Sequence, residues 1–456
     1  MESVSSGQSN TREQQKESLP ASNDELLDRF QFAAFRYFLN QVNPLNGLVA
    51  DTTRDGAPCS IAVVGFALSC YPIGITRGWM TRTEAIALTR TALRFFHNSP
   101  QNETPRATGY KGFYYHFLDM RTGERVWQSE LSVIDSALLF AGVLAARSYF
   151  TGNDPAEAEI RDLADKLYIR IDWQWAQNEI YTVTQGWKPE CGFLHYGWEG
   201  YSEALILYAL GLGSPTHPLP ADSYDLWTST YQWENLYGYN HLYAGPLFIH
   251  QFAHAWIDFR GLQDDFMREK RCDYFENTRR AAHVQREYAI RNPHEFKRYG
   301  RDFWGLSACD GPGSGIVNIH GVRHRLFGYV ARGVPYGPDD GTISPATIFG
   351  SLPFAPEIAL SAIRHLCEVY PRMGEEYTIP NAVNPTVDAE QDFGWVSHGH
   401  YGLDQGLIVL AIENYRTEWL WNLMRGCRYV ETGLRRAGFT GGWLGKRRTG
   451  RQRHAR

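Results

Sequence analysis

Four acidic residues sit where apolar sequence surrounds them. Glu203 lies in "WEGYSEALILYAL" (198–210), Glu130 and Asp135 in "WQSELSVIDSALLFAGVLAA" (127–146), and Asp404 in "HGHYGLDQGLIVLAIENY" (398–415). Each stands at or near the start of an apolar run that reads as a helix. A carboxylate in such a place must be paired, hydrogen-bonded or lining a wet cleft. Two carboxyl groups in one cleft can divide labour. One, held protonated by apolar neighbours, gives a proton, and the other, ionised, takes one from water. That division suits hydrolysis of a glycosidic bond.

The carboxylates differ in their plain alternatives. Glu199 stands four residues before Glu203, and the two share one face if the helix begins early enough to hold both. As ionised neighbours they cost about a few tenths of a kcal/mol on an exposed helix, and more when desolvated. Solvation at the helix N-terminus, metal ligation and a protonated acid compete there. Trp198, Tyr201 and the apolar turns that follow favour the protonated acid for Glu203. Asp135 falls at the edge of a core stripe in the helix interior. Glu130 falls in the first turn, where the helix dipole alone accounts for it, and Asp404 could be a helix cap. The expected substrate contacts are Trp127, Trp187, Trp198, Tyr201 and Trp304 as ring faces or neighbours of the acids. Glu199, His250, Gln251, His400, Tyr401 and Asp310, from the Gly-rich "FWGLSACDGPGSG", complete them.

His250 and His254 share a helix face, as would His320 and His324 if their segment is helical, and His398, His400 and Asp404 cluster. None carries H-E-x-x-H or a Cys partner, so no catalytic metal or cofactor is expected. His250 is read as lining the sugar site and His254 as packing in the core. Phosphate-loop and G-x-S-x-G patterns are absent.

The elements that must position these groups are mostly helical. Helical periods cover about 24–42, 59–71, 81–97, 129–150, 155–171, 201–211, 245–260, 264–291, 354–369, 404–413 and 418–438. Strand-like alternation appears only in short pieces, 112–119 and 315–322. Gly-, Pro- and aromatic-rich loops lie between. With no βαβ rhythm and no solenoid repeat, the expectation is all-α: an (α/α)6 toroid whose loops form a substrate cleft. A single catalytic domain over 25–440 is expected, between a disordered polar leader (1–24) and a basic disordered tail (441–456).

The 456 residues are 43% hydrophobic, 21% charged and 14% aromatic, with a net charge of −5. Residues 446–456 hold six Lys or Arg, leaving the body near −11 (−5 minus 6), which does not suit nucleic acid. No run of eighteen apolar residues predicts a membrane span. Seven cysteines without C-x-x-C, and a leader lacking an apolar core, read as reduced and cytoplasmic, or as periplasmic or secreted if the true start lies upstream. A monomer is expected.

Five stretches, "SELSVIDSALLFAGVLAA", "WEGYSEALILYALGLGSPTHP", "PLFIHQFAHAWIDFRG", "FWGLSACDGP" and "GLDQGLIVLAIENYR", resemble in order the glucoamylase-like domain of glycoside hydrolase family 144. Relatives of that domain are family 162 and the transglycosylase domain of cyclic β-1,2-glucan synthases. The matching pieces spread over about 30–425. The resemblance implies an (α/α)6 toroid and an endo-acting, inverting hydrolase of β-1,2-glucan. It places the general acid at Glu203 and includes Glu130, Asp135 and Asp404 in the site, with Asp404 preferred as base over Asp135 and Glu130. A retaining transglycosylase, a hydrolase of another β-glucan linkage, a polysaccharide lyase and a non-catalytic glycan binder are the competing readings.

Overall fold

The computed structural model describes residues 22–178, 182–319, 321–373, 379–387 and 393–445. Six helices form its inner layer: Ile61–Thr76, Val133–Tyr149, Ala204–Gly213, Leu247–Trp256, Pro345–Gly350 and Gly402–Thr417. Each packs on the next in that order, and the last packs back on the first. Their sequences explain the layer. All ten residues of Ala204–Gly213 and every residue from Ile61 to Gly74 are buried, as expected of helices that are apolar on all sides. A second set, Asn23–Asn40, Arg82–Asn98, Pro155–Ile169, Tyr274–Arg291, Pro356–Val369 and Arg428–Arg436, packs against the first. These outer helices bury one stripe and carry charge on the other face.

Close approach inside the inner layer requires glycine. A methyl group on Gly65 would lie 2.3 Å from the Leu138 carbonyl oxygen, and one on Gly142 would lie 2.0 Å from the Gly65 carbonyl oxygen. The Ile61 and Val133 helices therefore cross backbone to backbone, which no larger residue at either position permits.

Several boundaries differ from the sequence reading. The helix expected over 201–211 begins at Ala204, and the one expected over 129–150 begins at Val133. The 264–291 helix is two, because Arg271 turns into the left-handed region and Asp273 caps a new start by accepting the Glu276 N–H at 2.7 Å. Glu418, also left-handed, separates the Gly402 helix from Trp419–Met424, and a further break precedes Arg428–Arg436. Asp222–Thr228 and Pro345–Gly350 were too short for their periodicity to register.

The all-α expectation also needs correction. The fold is helix-rich with small sheets, including a five-stranded antiparallel one of Gly109–Tyr110, Phe113–Tyr115, Leu131–Ser132, Gly186–Lys188 and Gly192–Phe193. His324 lies in the hairpin strand Val322–Leu326, so the proposed helical His pair fails there; His320 lies outside the described residues. The helix start at Asn23, capped by Ser22, takes in the last residues assigned to the leader. Thr440–Gly441 pairs with Leu262–Gln263, and most of the basic tail lies outside the described residues. No helix among the described residues is long and apolar enough to cross a membrane.

Candidate active site

Five of the six inner helices present their N-terminal ends to one cavity of about 340 Å³. Glu203, Asp404, Asp135 and Glu130 all line it, together with Trp198 and Tyr401. The volume falls in the range of roughly 300–1,000 Å³ typical of small-ligand sites.

Glu203 caps the Ala204 helix by position, but its side chain makes no capping hydrogen bond. Burial pushes its carboxyl up from 4.5 to about 7; a backbone hydrogen bond opposes this and the Asp135 charge adds to it. A helix N-terminus favours a carboxylate by only about 0.3–1 kcal/mol. A rise of that size corresponds to about 3 kcal/mol, so enclosure wins. Glu199 is not its partner on a helix face. It sits in the loop before the helix, exposed, with Gly200 left-handed between them.

Asp404 lies in the first turn of the Gly402 helix, whose cap position belongs to Tyr401. Burial raises its carboxyl from 3.8 to about 7, against a hydrogen bond from Asn381 and with repulsion from Asp310 and Asp51. Asn381 is itself oriented. Its Oδ1 accepts the Asp310 N–H at 2.7 Å, which leaves Nδ2 to donate to Asp404 Oδ2 at 2.7 Å. The buried Arg332–Asp340 pair secures that loop, with Arg332 Nη1 donating to the Cys309 carbonyl at 2.8 Å.

Asp135 sits in the first turn of its helix rather than in the interior, because the helix starts later than its periodicity suggests. Ser132 Oγ accepts the Asp135 N–H at 3.1 Å and donates to Oδ2 at 2.5 Å. Glu130 precedes the helix altogether, next to the sheet strand Leu131–Ser132. Its carbonyl accepts the His116 N–H at 2.9 Å, and its carboxylate meets His116 Nδ1 at 2.8 Å. The other ring nitrogen of His116 lies 3.5 Å from Asp135. Burial alone would lower the His116 value, but Asp135, Glu130 and Asp51 overcome it and raise the imidazole to about 9. Glu130 is held below its usual range by His116, against its own burial. Ligand-type atoms of His116, Glu130 and Asp135 lie within 4.8 Å of one another. An imidazolium between two carboxylates accounts for that grouping without an ion.

Other expected contacts lie elsewhere. Trp304 is wholly buried. His250 is buried, with Nε2 against the Ala244 carbonyl at 3.1 Å, and burial lowers it to about 3. Gln251 braces two inner helices by donating to the Thr347 carbonyl at 2.8 Å and to Ser351 Oγ at 3.0 Å. Tyr201 is buried against Tyr231, His250 and Tyr274. These four were read as site residues because they are polar or aromatic beside the acids, yet tertiary packing turns them into the core. His254 is buried, as expected. Trp187 packs on Tyr110 and Trp175 away from the cavity wall, and Trp127 is 70% exposed on a left-handed turn against Phe117. His400 borders a separate cavity with its Nδ1 at the Ile379 carbonyl. Asp310 stands behind the wall. It accepts the Tyr401 hydroxyl at 3.0 Å and pairs with Arg54, which also donates to Tyr401 at 3.1 Å.

The sequence reading missed His116, Asn381, Tyr329 and Asp51. His116 was hidden in an aromatic stretch, at the bend between Phe113–Tyr115 and Phe117–Leu118, and Asn381 and Tyr329 come from loops without periodicity. Only the odd Asp among apolar neighbours in "GLVADTTRDG" pointed to Asp51.

A helical, sheet-trimmed fold with carboxyl groups clustered at inner helix ends is the setting of a carbohydrate-acting enzyme. The Glycoamylase family model, described as "Putative glucoamylase", matches residues 195–428, and the chain belongs to that family. It is similar to a solved "putative glucoamylase" of Bacteroides uniformis at 30% identity, with a TM-score of 0.83 over 94% of this chain and 100% of that one. An endo-β-1,2-glucanase from Chitinophaga pinensis, solved with sophorotriose and glucose, is 25% identical with a TM-score of 0.80, covering 93% and 100%. The exo-β-1,2-glucooligosaccharide sophorohydrolase (non-reducing end) of Parabacteroides distasonis is 28% identical in an alignment 461 positions long that covers 91% of this chain. The match spans 58% of that relative's length.

Proposed function

We propose that this chain is a glycoside hydrolase of β-1,2-linked glucan, built as an (α/α)6 toroid and working as a monomer. The ring order of the six inner helices, each backed by an outer one, supports the toroid. The observation that carries the function is the pair Glu203 and Asp404, both raised to about 7 by enclosure in the wall of one cavity.

In this reading Glu203, neutral at working pH, protonates the departing glycosidic oxygen. Asp404, held by Asn381, takes the proton that the attacking water releases, directly or through a hydroxyl or a second water. The water oxygen bonds to the anomeric carbon as the glycosidic bond breaks, so a β linkage yields an α product. Trp198 lies on the cavity wall, where its ring can meet a sugar face. The names of the Chitinophaga and Parabacteroides relatives support β-1,2-glucan as the substrate.

Purified chain is incubated with linear β-1,2-, β-1,3- and β-1,4-glucans, and the products are followed by proton NMR. Cleavage of the β-1,2 polymer alone, with α-anomer appearing first, is expected. Failure to cleave it, or release of β-anomer, overturns the reading. A second reading, exo action releasing sophorose, is favoured by the Parabacteroides relative. Sophorose as the sole early product would establish it, whereas a ladder of oligomers establishes endo action.

A further inference from the structure

Asp51 is a carboxylate beside the site that no described residue pairs by a hydrogen bond or an ion pair. Its backbone is pinned: the N–H donates to the Pro58 carbonyl at 2.7 Å, and the carbonyl accepts the Gly402 N–H at 2.9 Å. Thr52 bridges Tyr401, and Thr53 exchanges hydrogen bonds with His400, its N–H donating at 3.0 Å and its Oγ1 accepting at 3.0 Å. This lacing fixes Asp51 against the first turn of the helix that carries Asp404. Yet no described residue donates a hydrogen bond to its side chain.

The two cations within reach are engaged elsewhere. Arg54 gives its guanidinium to Asp310, Tyr401 and the His398 carbonyl. His116 gives its ring nitrogens to Glu130 and Asp135. The remaining neighbours repel: Asp135 and Asp310 act on Asp51, while Asp404, Tyr329, Tyr401 and the Cys59 thiol feel its charge. Burial, opposed by His116 and Arg54 and helped by Asp135 and Asp310, raises Asp51 from 3.8 to about 6.

A half-buried carboxylate without a hydrogen-bond donor, set among other acids, lowers stability by more than an asparagine of the same shape, which carries no charge. Asp310 also repels Asp404, but Arg54 and Tyr401 neutralise it. Asp51 makes no such pair among the described residues, and His116 and Arg54 offset its charge only in part.

We propose that Asp51 is a positioning residue for the reaction: its unpaired charge, laced to the Gly402 helix, makes Asp404 a stronger proton acceptor. A like charge held near a carboxylate disfavours ionisation and so strengthens the base. The inference rests on Asp404 as the base in the proposed hydrolysis, but its central claim can be read without turnover.

The test is Asp51→Asn in the full chain. Protein labelled with 13C at the aspartate carboxyls, with the Asp404 signal assigned by Asp404→Asn, is titrated by NMR. Asp404 is expected to titrate at least about half a unit lower in the variant. The variant should melt no lower than wild type at pH 8. The acidic limb of kcat/KM should move down by the same amount, with the plateau kcat falling less than about ten-fold. An unmoved Asp404 titration, or a lower melting temperature, overturns the proposal. So does a hundred-fold loss of kcat, which would put Asp51 on the reacting water itself. If wild-type protein does not hydrolyse β-1,2-glucan, the functional reading fails while the titration still decides the role of Asp51.

Discussion

Replacing Glu203 by glutamine should destroy catalysis and strengthen the fold, each with a defined dependence on pH. In the folded chain the carboxyl titrates near 7 rather than 4.5. At about 1.4 kcal/mol per unit this corresponds to about 3 kcal/mol against the ionised form. The sign follows from linkage. A raised folded value stabilises the native state fully below the unfolded value, and that stability is lost as pH climbs through the folded one. Below about pH 4.5, wild type and Glu203→Gln should therefore unfold alike. Across roughly pH 4.5–7 wild type loses ground, and above 7 the glutamine variant should be more stable by up to about 3 kcal/mol, less whatever water entering the cavity relieves. Urea denaturation at pH 5 and pH 8, with extrapolation to water, measures the difference. Hydrolysis should fall by about 10²–10⁴-fold, because glutamine has no proton to give. Binding of sophorotriose, read by calorimetry, should persist. A variant no more stable than wild type at pH 8, or one that turns over normally, refutes the reasoning: Glu203 would then be an ordinary solvated carboxylate.

Asp404→Asn should lower kcat by about 10²–10⁴-fold while leaving oligosaccharide binding measurable, and an unchanged kcat would move the base elsewhere. Trp198→Ala should raise KM with little loss of stability. Trp304→Ala, from the buried core, should instead cost about 3–5 kcal/mol of stability; a pure KM effect at Trp304 would contradict its burial. Prolonged treatment with EDTA should leave the rate unchanged, and loss restored by a divalent ion would show that the His116–Glu130–Asp135 group holds a metal.

The sequence carried five of the six inner helices because their periodicity has almost no polar face, and Pro345–Gly350 is too short to show one. "ALILYALGLG" and "GLIVLAI" can be buried only on all sides, and both are. It carried Glu203, Asp135 and Asp404 for the same reason, since a carboxylate at the head of such a helix needs an exceptional setting. It carried most helix starts closely, but those at Ala204 and Val133 come three and four residues later than the periodicity suggests. That small error put Glu199 beside Glu203 and placed Asp135 in a helix interior. Trp304, Gln251 and His250 were misread because type and neighbourhood do not tell which way a side chain points.

What the chain's order of residues determined alone is the list of helices that must be buried and the acids at their heads, since apolar periodicity and the cost of a stranded charge are local. Which acids meet, and which proton each keeps, was decided only by tertiary structure. Asp51, His116, Asn381 and Asp404 come from segments far apart in the chain. Their proton affinities depend on enclosure and on one another's charge, and neither exists until the helices pack.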